Sequence, residues 1–117
     1  MTPVFITGGT GYIGRPLIGA LLEKGFSVHA LVRPGSQARL PSAALPVMGD
    51  ALDASTFASA IPPGAALIHL VGTPHLNPAK AAEFQRVDLG SIRAATAAAQ
   101  RAGVRIVDVP AIRRAAA

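Results

Sequence analysis

Residues 7–14 read Thr7-Gly8-Gly9-Thr10-Gly11-Tyr12-Ile13-Gly14, and this stretch decides the fold of the 117-residue chain. The apolar run Val4-Phe5-Ile6 precedes it, and a helical pattern follows. Glycines at this spacing permit a tight strand-to-helix turn, let backbone approach a pyrophosphate, and let the helix pack closely on the strand. The N–H groups and positive dipole of the helix N-terminus then face the phosphates. In this context the spacing predicts a dinucleotide site, and the alternative is a tight turn without a ligand.

Composition limits the chain to one domain at most. Half of the residues are hydrophobic and only 4% are aromatic, so we expect a core of Val, Leu, Ile and Ala. The sequence contains no cysteine, which excludes a disulfide framework and a thiolate metal site. The three histidines, His29, His69 and His75, are too widely spaced to indicate a metal site.

The net charge of +5 raises the question of a nucleic-acid or membrane partner. The basic residues are scattered, and the only adjacent pair is Arg113-Arg114. No aromatic residues interleave with them, so nucleic-acid binding is unsupported and a mild attraction for an anionic cofactor remains. No apolar run reaches transmembrane length and no secretion signal is present, so we expect no membrane partner and a cytoplasmic location.

Apolar runs alternate with helical patterns along the chain. Alternation of this kind indicates βαβ units with right-handed crossovers. It predicts an α/β fold, a Rossmann-like doubly wound parallel sheet of about five strands in the order 3-2-1-4-5. The sheet would lie in a domain over residues 1–109, with a tail at 110–117. Strands are predicted at residues 3–6, 27–32, 46–48, 65–71 and 104–109, and helices at 11–24, 54–60 and 78–102.

Local signals refine three of these helices. Gly25 and Gly103 are predicted to end the first and the last helix, because glycine favours the C-terminal cap. Asp53 is predicted to cap the short helix. Gly19 lies inside the first helix, where glycine costs about 1 kcal/mol relative to alanine. We therefore expect close packing on the sheet at Gly19.

With the glycine motif and this strand order, the chain resembles the extended or atypical short-chain dehydrogenase/reductase family, and within it the epimerase/dehydratase-like and NmrA-like branches. The match runs from Val4 to about Val109. Outside residues 7–14 it rests on Leu31-Val32-Arg33, Gly49-Asp50-Ala51-Leu52-Asp53, Ile68-His69-Leu70-Val71-Gly72 and Val87-Asp88-Leu89-Gly90. The resemblance implies a nicotinamide dinucleotide as partner. The predicted cofactor-binding residues are Gly8, Thr10, Gly11, Tyr12, Ile13, Gly14, Arg33, Asp50, Ala51, Leu70, Val71 and Gly72.

Arg33 lies where an NAD-binding Rossmann unit places a carboxylate for the ribose 2′-hydroxyl. An arginine there can instead hold a 2′-phosphate and stack on adenine. We therefore expect NADP in preference to NAD, and the alternative is a solvent-facing arginine at a strand end. Arg39 is a second candidate for the phosphate, although an arginine in such a loop is more often solvated.

Two further segments lie at the edge of the sheet where ligands bind in open α/β folds. The resemblance implies that Asp50 and the next backbone amide, that of Ala51, receive the edge of adenine. The alternative is a loop or cap carboxylate. Gly72 would let the backbone lie against the nicotinamide-side ribose and pyrophosphate, and the alternative is a strand-ending glycine. His69 is predicted to be a satisfied core histidine rather than a catalyst, and His75 a solvated loop residue.

The catalytic residues of the resembled family are missing. That family uses a Tyr–Lys pair one helical turn apart and a Ser or Thr at the end of strand five, the Lys lowering the Tyr pKa. Here Tyr12 is the only tyrosine, and residues 109–111 contain no hydroxyl. We assign no catalytic residue and expect a C-terminally truncated, cofactor-binding portion of an NAD(P)-dependent oxidoreductase, epimerase or dehydratase. The last strand of this portion would leave an open edge that favours marginal stability or self-association, unless the tail from Pro110 folds back over it.

Two non-catalytic alternatives remain open. One is an NmrA-like regulator that senses the nicotinamide cofactor and acts on a partner. The other is an accessory subunit that holds the cofactor in a larger complex, like the short-chain-dehydrogenase-type subunit of respiratory complex I. Asp88 stands where members of the resembled family often carry Asn, which argues against a role for it in an active site.

Overall fold

A computed structural model describes residues 2–11, 13–71 and 84–108. Five parallel strands form one sheet in the order β3-β2-β1-β4-β5, so the predicted order 3-2-1-4-5 and the Rossmann-like fold are confirmed. In the register of the central strand, Val4 lies beside Val28 and Ala66. The strands are β1 Pro3–Thr7, β2 Ser27–Val32, β3 Leu45–Met48, β4 Ala66–His69 and β5 Arg105–Asp108.

Two α-helices accompany the sheet in the part of the chain that the structure describes. The first, α1, spans Gly14–Glu23, and the second, α2, spans Gly90–Ala102 and continues a π-helical segment at Phe84–Leu89. The described residues also form three short 3₁₀ turns, at Gln37–Arg39, Ala54–Thr56 and Ala58–Ala60. The first part of the predicted 78–102 helix and the predicted tail at 110–117 lie outside the described residues.

The helix ends follow the predicted glycines. Gly25 has φ +87°, and the N–H groups of Gly25 and Phe26 donate to the carbonyls of Leu22 and Leu21. Gly103 ends α2 in the same left-handed conformation. In contrast, α1 begins at Gly14 rather than at residue 11, because the preceding residues form the turn after β1.

Side chains of β1 alternate between the two faces of the sheet. Val4 and Ile6 pack against Ile18 of α1, whereas Phe5 packs in the cluster that contains the alanines of α2. Both faces of a parallel sheet are thereby covered. The prediction of a core built only from Val, Leu, Ile and Ala is wrong in one respect. The rings of Phe5 and Phe57 are fully buried, and they stack with centroids 5.9 Å apart.

Three polar side chains are buried together between β1, β4 and α2. Thr7 Oγ1 lies 2.6 Å from His69 Nδ1, and Ser91 Oγ lies 3.2 Å from His69 Nε2. Ser91 Oγ also donates to the carbonyl oxygen of Asp88 at 3.2 Å. Both ring nitrogens of His69 are therefore hydrogen-bonded, and its prediction as a core histidine is confirmed.

The expectation that Gly19 packs closely on the sheet is wrong. A Cβ atom built at this position has no atom of the described residues within 4 Å. Close packing on the sheet therefore does not explain the glycine, and nothing else in the described structure does.

The two edges of the described sheet differ in composition. β3 contains Pro46, which lacks an N–H group, and exposes Leu45. β5 forms the other edge and exposes 40% of Val107. Within the described residues, no helix is both long and apolar enough to cross a membrane.

Candidate functional site

The turn between β1 and α1 is built from backbone-to-backbone contacts. Gly8 has φ +78°, and a Cβ there would lie 2.8 Å from the carbonyl carbon of Leu70 and from Val71 N. A Cβ on Gly14 would overlap the carbonyl oxygen of Gly8 and lie 2.7 Å from Gly9 Cα. Only glycine fits these two positions without a shift of the backbone, so they fix where α1 begins.

Gly11 differs from these two positions. Its N–H donates to the Gly8 carbonyl at 3.2 Å, and a Cβ on Gly11 would meet only that oxygen, at 3.4 Å. The space beside Gly11 is thus not filled by the described residues. Such a cradle, which a side chain would fill, is what an approaching pyrophosphate needs.

The N-terminus of α1 favours an anion on the same side. Ile13 occupies the N-cap and has no side chain that can accept a hydrogen bond, and the first turn contains no acidic residue. The Arg15 N–H already donates to the Gly11 carbonyl at 3.2 Å and Pro16 has no N–H, so the Gly14 N–H is the first-turn donor that remains for water or a ligand among the described residues. The helix dipole favours a negative charge there.

A cavity of about 290 Å³ lies at the carboxyl ends of β1, β2 and β3. Five of the predicted cofactor-binding residues line it, namely Gly8, Thr10, Arg33, Ala51 and Val71. Arg39, the second candidate for a phosphate, lines it as well. Four lining residues were not predicted, namely Leu31, Val32, Ser36 and Gly49. Leu31, Val32 and Gly49 neighbour predicted residues at the strand ends, and this adjacency could have indicated them, whereas Ser36 reaches the cavity through the turn after Arg33.

The other predicted cofactor-binding residues do not line the cavity or lie outside the described residues. Ile13 and Gly14 form the start of α1, and Gly11 lies in the turn before it. Leu70 packs against the apolar cluster under α1, and its N–H donates to the Thr7 carbonyl at 2.9 Å. None of these four, nor Asp50, lines the cavity. Tyr12 and Gly72 lie outside the described residues, as does His75.

One wall of the cavity is cationic. Arg33, Ser36 and Arg39 follow one another at intervals of three residues. The Ser36 N–H donates to the Arg33 carbonyl and the Arg39 N–H to the Ser36 carbonyl, each at 3.0 Å. These two turns hold both arginines and the serine at the cavity. No acidic residue is among the described residues that line it, so the wall suits a phosphate.

The loop after β3 forms a second wall and uses most of its polar groups internally. Asp50 Oδ1 accepts the Leu52 N–H at 2.8 Å, and Asp50 N–H donates to Thr56 Oγ1 at 2.9 Å. Gly49 N–H donates to the Val32 carbonyl at 3.0 Å. The Ala51 N–H has no hydrogen-bond partner among the described residues and lies at the cavity.

Asp53 closes this loop as a cap, as predicted. Its Oδ1 accepts hydrogen bonds from the Ser55 hydroxyl at 2.6 Å and from the Ser55 N–H at 3.0 Å. The hydroxyl, and then the N–H, hold the pKa of the exposed Asp53 carboxyl below its ordinary 3.8. The segment it caps is a 3₁₀ turn, Ala54–Thr56, rather than the start of a continuous helix.

A family model described as NAD(P)H-binding matches residues 8–113 of the chain. One curated relative is the 4-hydroxy-2-methyl-3-oxo-4-farnesyl-3,4-dihydroquinoline-1-oxide ketoreductase of Stigmatella aurantiaca. It is 36% identical over 104 residues, a match that covers 86% of this chain and 30% of the relative.

Two solved structures share the fold. A short-chain dehydrogenase/reductase superfamily protein from Agrobacterium tumefaciens with bound NAD is 28% identical with a TM-score of 0.69, over 91% of this chain and 31% of that protein. UDP-glucose 4-epimerase from Brucella ovis in complex with NAD is 19% identical with a TM-score of 0.80, over 92% and 35%. The chain thus spans about a third of the length of each of these three proteins.

Proposed function

The chain belongs to the NAD(P)H-binding family whose model matches residues 8–113, and from that premise we propose that it holds NADP(H) as the cofactor-binding portion of a reductase- or epimerase-like protein. The observation that carries this proposal is the cavity wall formed by Arg33, Ser36 and Arg39, next to a helix N-terminus without acidic residues. When bound, the nicotinamide supplies the hydride chemistry. The chain supplies position and electrostatics.

The pyrophosphate belongs at the turn between β1 and α1. Gly11 leaves space on its open side, and the start of α1 offers the Gly14 N–H without a side-chain cap. This donor and the helix dipole act together on a group of negative charge. Gly8 and Gly14 keep the turn tight enough for this approach.

The 2′-phosphate belongs at the cationic wall. Two guanidinium groups and one hydroxyl donate charge-assisted and neutral hydrogen bonds to phosphate oxygens. A unit that selects NAD would have a carboxylate at the position of Arg33, where it accepts from the ribose 2′-hydroxyl. The charge at this wall therefore favours the phosphorylated dinucleotide.

The adenine edge belongs at the loop after β3. Asp50 keeps one carboxylate oxygen beyond the one that accepts the Leu52 N–H, and the neighbouring Ala51 N–H is a donor. Adenine presents an amino group beside a ring acceptor on one edge, which is the complementary pattern. These two groups would orient the base, and they would leave the nicotinamide to the side of β4.

We assign cofactor binding to these 117 residues and no catalytic acid. Tyr12 is the only tyrosine among them and lies within the glycine motif.

Calorimetric titration with NADPH tests the proposal through Gly11→Val. The added side chain would fill the cradle beside Gly11, so we expect NADPH affinity to fall at least tenfold while the fold is kept. Ala20→Val, at an exposed position of α1, is the control. A glycine such as Gly35 is unsuitable because its φ of +90° would strain any added side chain. Ala20→Val should bind NADPH like the unmodified chain. Equal binding by Gly11→Val and the unmodified chain would contradict the site.

A further inference from the structure

The loop after β3 has its shape because of a side chain that does not line the cavity. We propose that Thr56 is a positioning residue that sets the adenine-reading groups of Asp50 and Ala51, an inference that rests on the proposed adenosine site. Thr56 is an exposed residue of the 3₁₀ turn Ala54–Thr56, six residues after Asp50, and it is not among the residues at the cavity. It would act on the base only through the loop.

The Thr56 hydroxyl bridges both ends of the loop. Thr56 Oγ1 accepts the Asp50 N–H at 2.9 Å, and the hydroxyl donates to the Asp53 carbonyl oxygen at 2.7 Å and to the Asp50 carbonyl oxygen at 3.2 Å. A hydroxyl is one donor with two acceptor lone pairs, so Thr56 serves the amide and the carbonyls together. The Thr56 hydroxyl thus connects the backbone of Asp50 with the backbone of Asp53.

Most backbone N–H and C=O groups of the loop around Thr56 already have hydrogen-bond partners. The Asp53 N–H donates to the Asp50 carbonyl at 3.0 Å, and the Leu52 N–H is held by Asp50 Oδ1. Between them, the Ala51 N–H has no partner among the described residues, and the second oxygen of the Asp50 carboxylate accepts no hydrogen bond from them. A donor and an acceptor therefore remain on adjacent residues.

Gly49 places the loop at a fixed distance from β2. A Cβ on Gly49 would lie 2.9 Å from Leu31 Cδ1 and 3.0 Å from Thr56 Oγ1, so the glycine lies tightly between the two side chains. Leu31 lines the cavity. Thr56 and the cavity-lining Leu31 therefore flank Gly49, the first residue of the loop.

The pattern of one donor beside one acceptor distinguishes two bases. Adenine offers a 6-amino donor and the N1 acceptor, whereas hypoxanthine offers a 6-oxo acceptor and an N1–H donor. The loop matches adenine and opposes hypoxanthine, because each unmatched polar group loses a hydrogen bond. Discrimination between the two bases therefore reports the geometry that Thr56 sets.

The test compares Thr56→Val, which keeps the shape and removes the hydroxyl, with Thr56→Ser, which keeps the hydroxyl. Thr96→Val, at an exposed threonine of α2, is the matched control. Each variant is titrated calorimetrically with NADPH and with reduced nicotinamide hypoxanthine dinucleotide phosphate, and its thermal unfolding is recorded. We expect the unmodified chain, Thr56→Ser and Thr96→Val to prefer NADPH by about tenfold, and Thr56→Val to lose most of that preference.

The outcomes separate this inference from the proposed function. Binding of NADPH without base preference in the unmodified chain overturns the role of the loop and leaves the proposed function standing. A chain that binds neither dinucleotide overturns both. Thr56→Val with a lower melting temperature and an unchanged preference shows a merely structural threonine and overturns the inference. If Thr56→Val does not melt cooperatively, Thr56→Ala is compared with Thr56→Ser by the same preference ratio.

Discussion

His69 Nδ1 lies 2.6 Å from the hydroxyl oxygen of Thr7, although 62 residues separate them along the chain. On the other side of the ring, Ser91 Oγ donates to the Asp88 carbonyl and so receives the hydrogen of His69 Nε2. Nδ1 is then the acceptor, and the Thr7 hydroxyl donates to it. The two hydrogen bonds of the buried His69 ring therefore connect β1, β4 and α2.

Thr7→Val tests the buried ring. The change keeps the side-chain shape but leaves Nδ1 without the Thr7 donor in a site where Thr7 is 1% exposed. Loss of one buried hydrogen bond costs about 0.5–1.5 kcal/mol, so the free energy of unfolding should fall by that amount. Denaturant unfolding measures it, with Thr96→Val as the exposed control. A loss no greater than that of the control would contradict the hydrogen bond.

Gly19→Ala should stabilise the chain. Alanine is favoured over glycine inside a helix by about 1 kcal/mol, and a Cβ at Gly19 meets nothing within 4 Å among the described residues. Gly14→Ala is the contrasting variant, because its Cβ would overlap the Gly8 carbonyl oxygen. Thermal unfolding of the two should therefore shift in opposite directions. Destabilisation by Gly19→Ala would reveal a packing partner for that position.

Arg33→Ala should reduce the preference for NADPH over NADH. A charge-assisted hydrogen bond to the 2′-phosphate is worth about 1.5–3 kcal/mol, or roughly 10- to 150-fold in affinity. NADH affinity should change little, because NADH lacks that phosphate. Competitive titrations measure the ratio, and Arg105→Ala, at the amino end of β5, is a control of equal charge. An unchanged ratio would remove Arg33 from the site.

Asp53→Ala should lower thermal stability at pH 7 and lose its effect in acid. The folded-state pKa of Asp53 lies below the ordinary 3.8, so its contribution is present above that value and disappears as pH falls through the lowered pKa. The melting temperatures of the two proteins should converge in that range. Asp53→Asn keeps a cap acceptor without a titrating group, and its difference from Asp53→Ala should persist there.

The edge strand β5 should promote self-association. Its N–H and C=O groups face an edge of the described sheet, and Val107 is 40% exposed. Sedimentation velocity at micromolar concentrations should detect dimers that Val107→Lys weakens. Leu45→Lys is the control on β3, where Pro46 already interrupts the donors. A monomer at all concentrations would contradict the prediction.

The sequence predicted the sheet well because continuous apolar runs and glycine turns are local signals. Strand β2 has the predicted bounds 27–32, and β1 extends the predicted strand by a single residue, Thr7. The predicted fourth strand was too long, since β4 ends at His69 and the chain then passes the Gly8 turn.

Contacts between distant parts of the chain could not be predicted from these local sequence signals. The Phe5–Phe57 stack joins residues of different elements, and Ser91 reaches His69 from a helix whose buried face otherwise consists of alanine. Ser36 lies in an ordinary turn sequence, and only the fold brings it to the cavity. Side-chain patterns describe one element at a time, and these contacts depend on how two elements meet.

The buried face of α2 has a consequence for the entropy of folding. Ala94, Ala95, Ala98 and Ala99 are buried against the sheet, and an alanine has no rotamers to lose on burial. Docking this helix therefore restricts backbone but almost no side-chain freedom, unlike docking of α1 through Ile18. The distance between α2 and the sheet is set by methyl groups, so a larger side chain at any of the four positions can only push the layers apart.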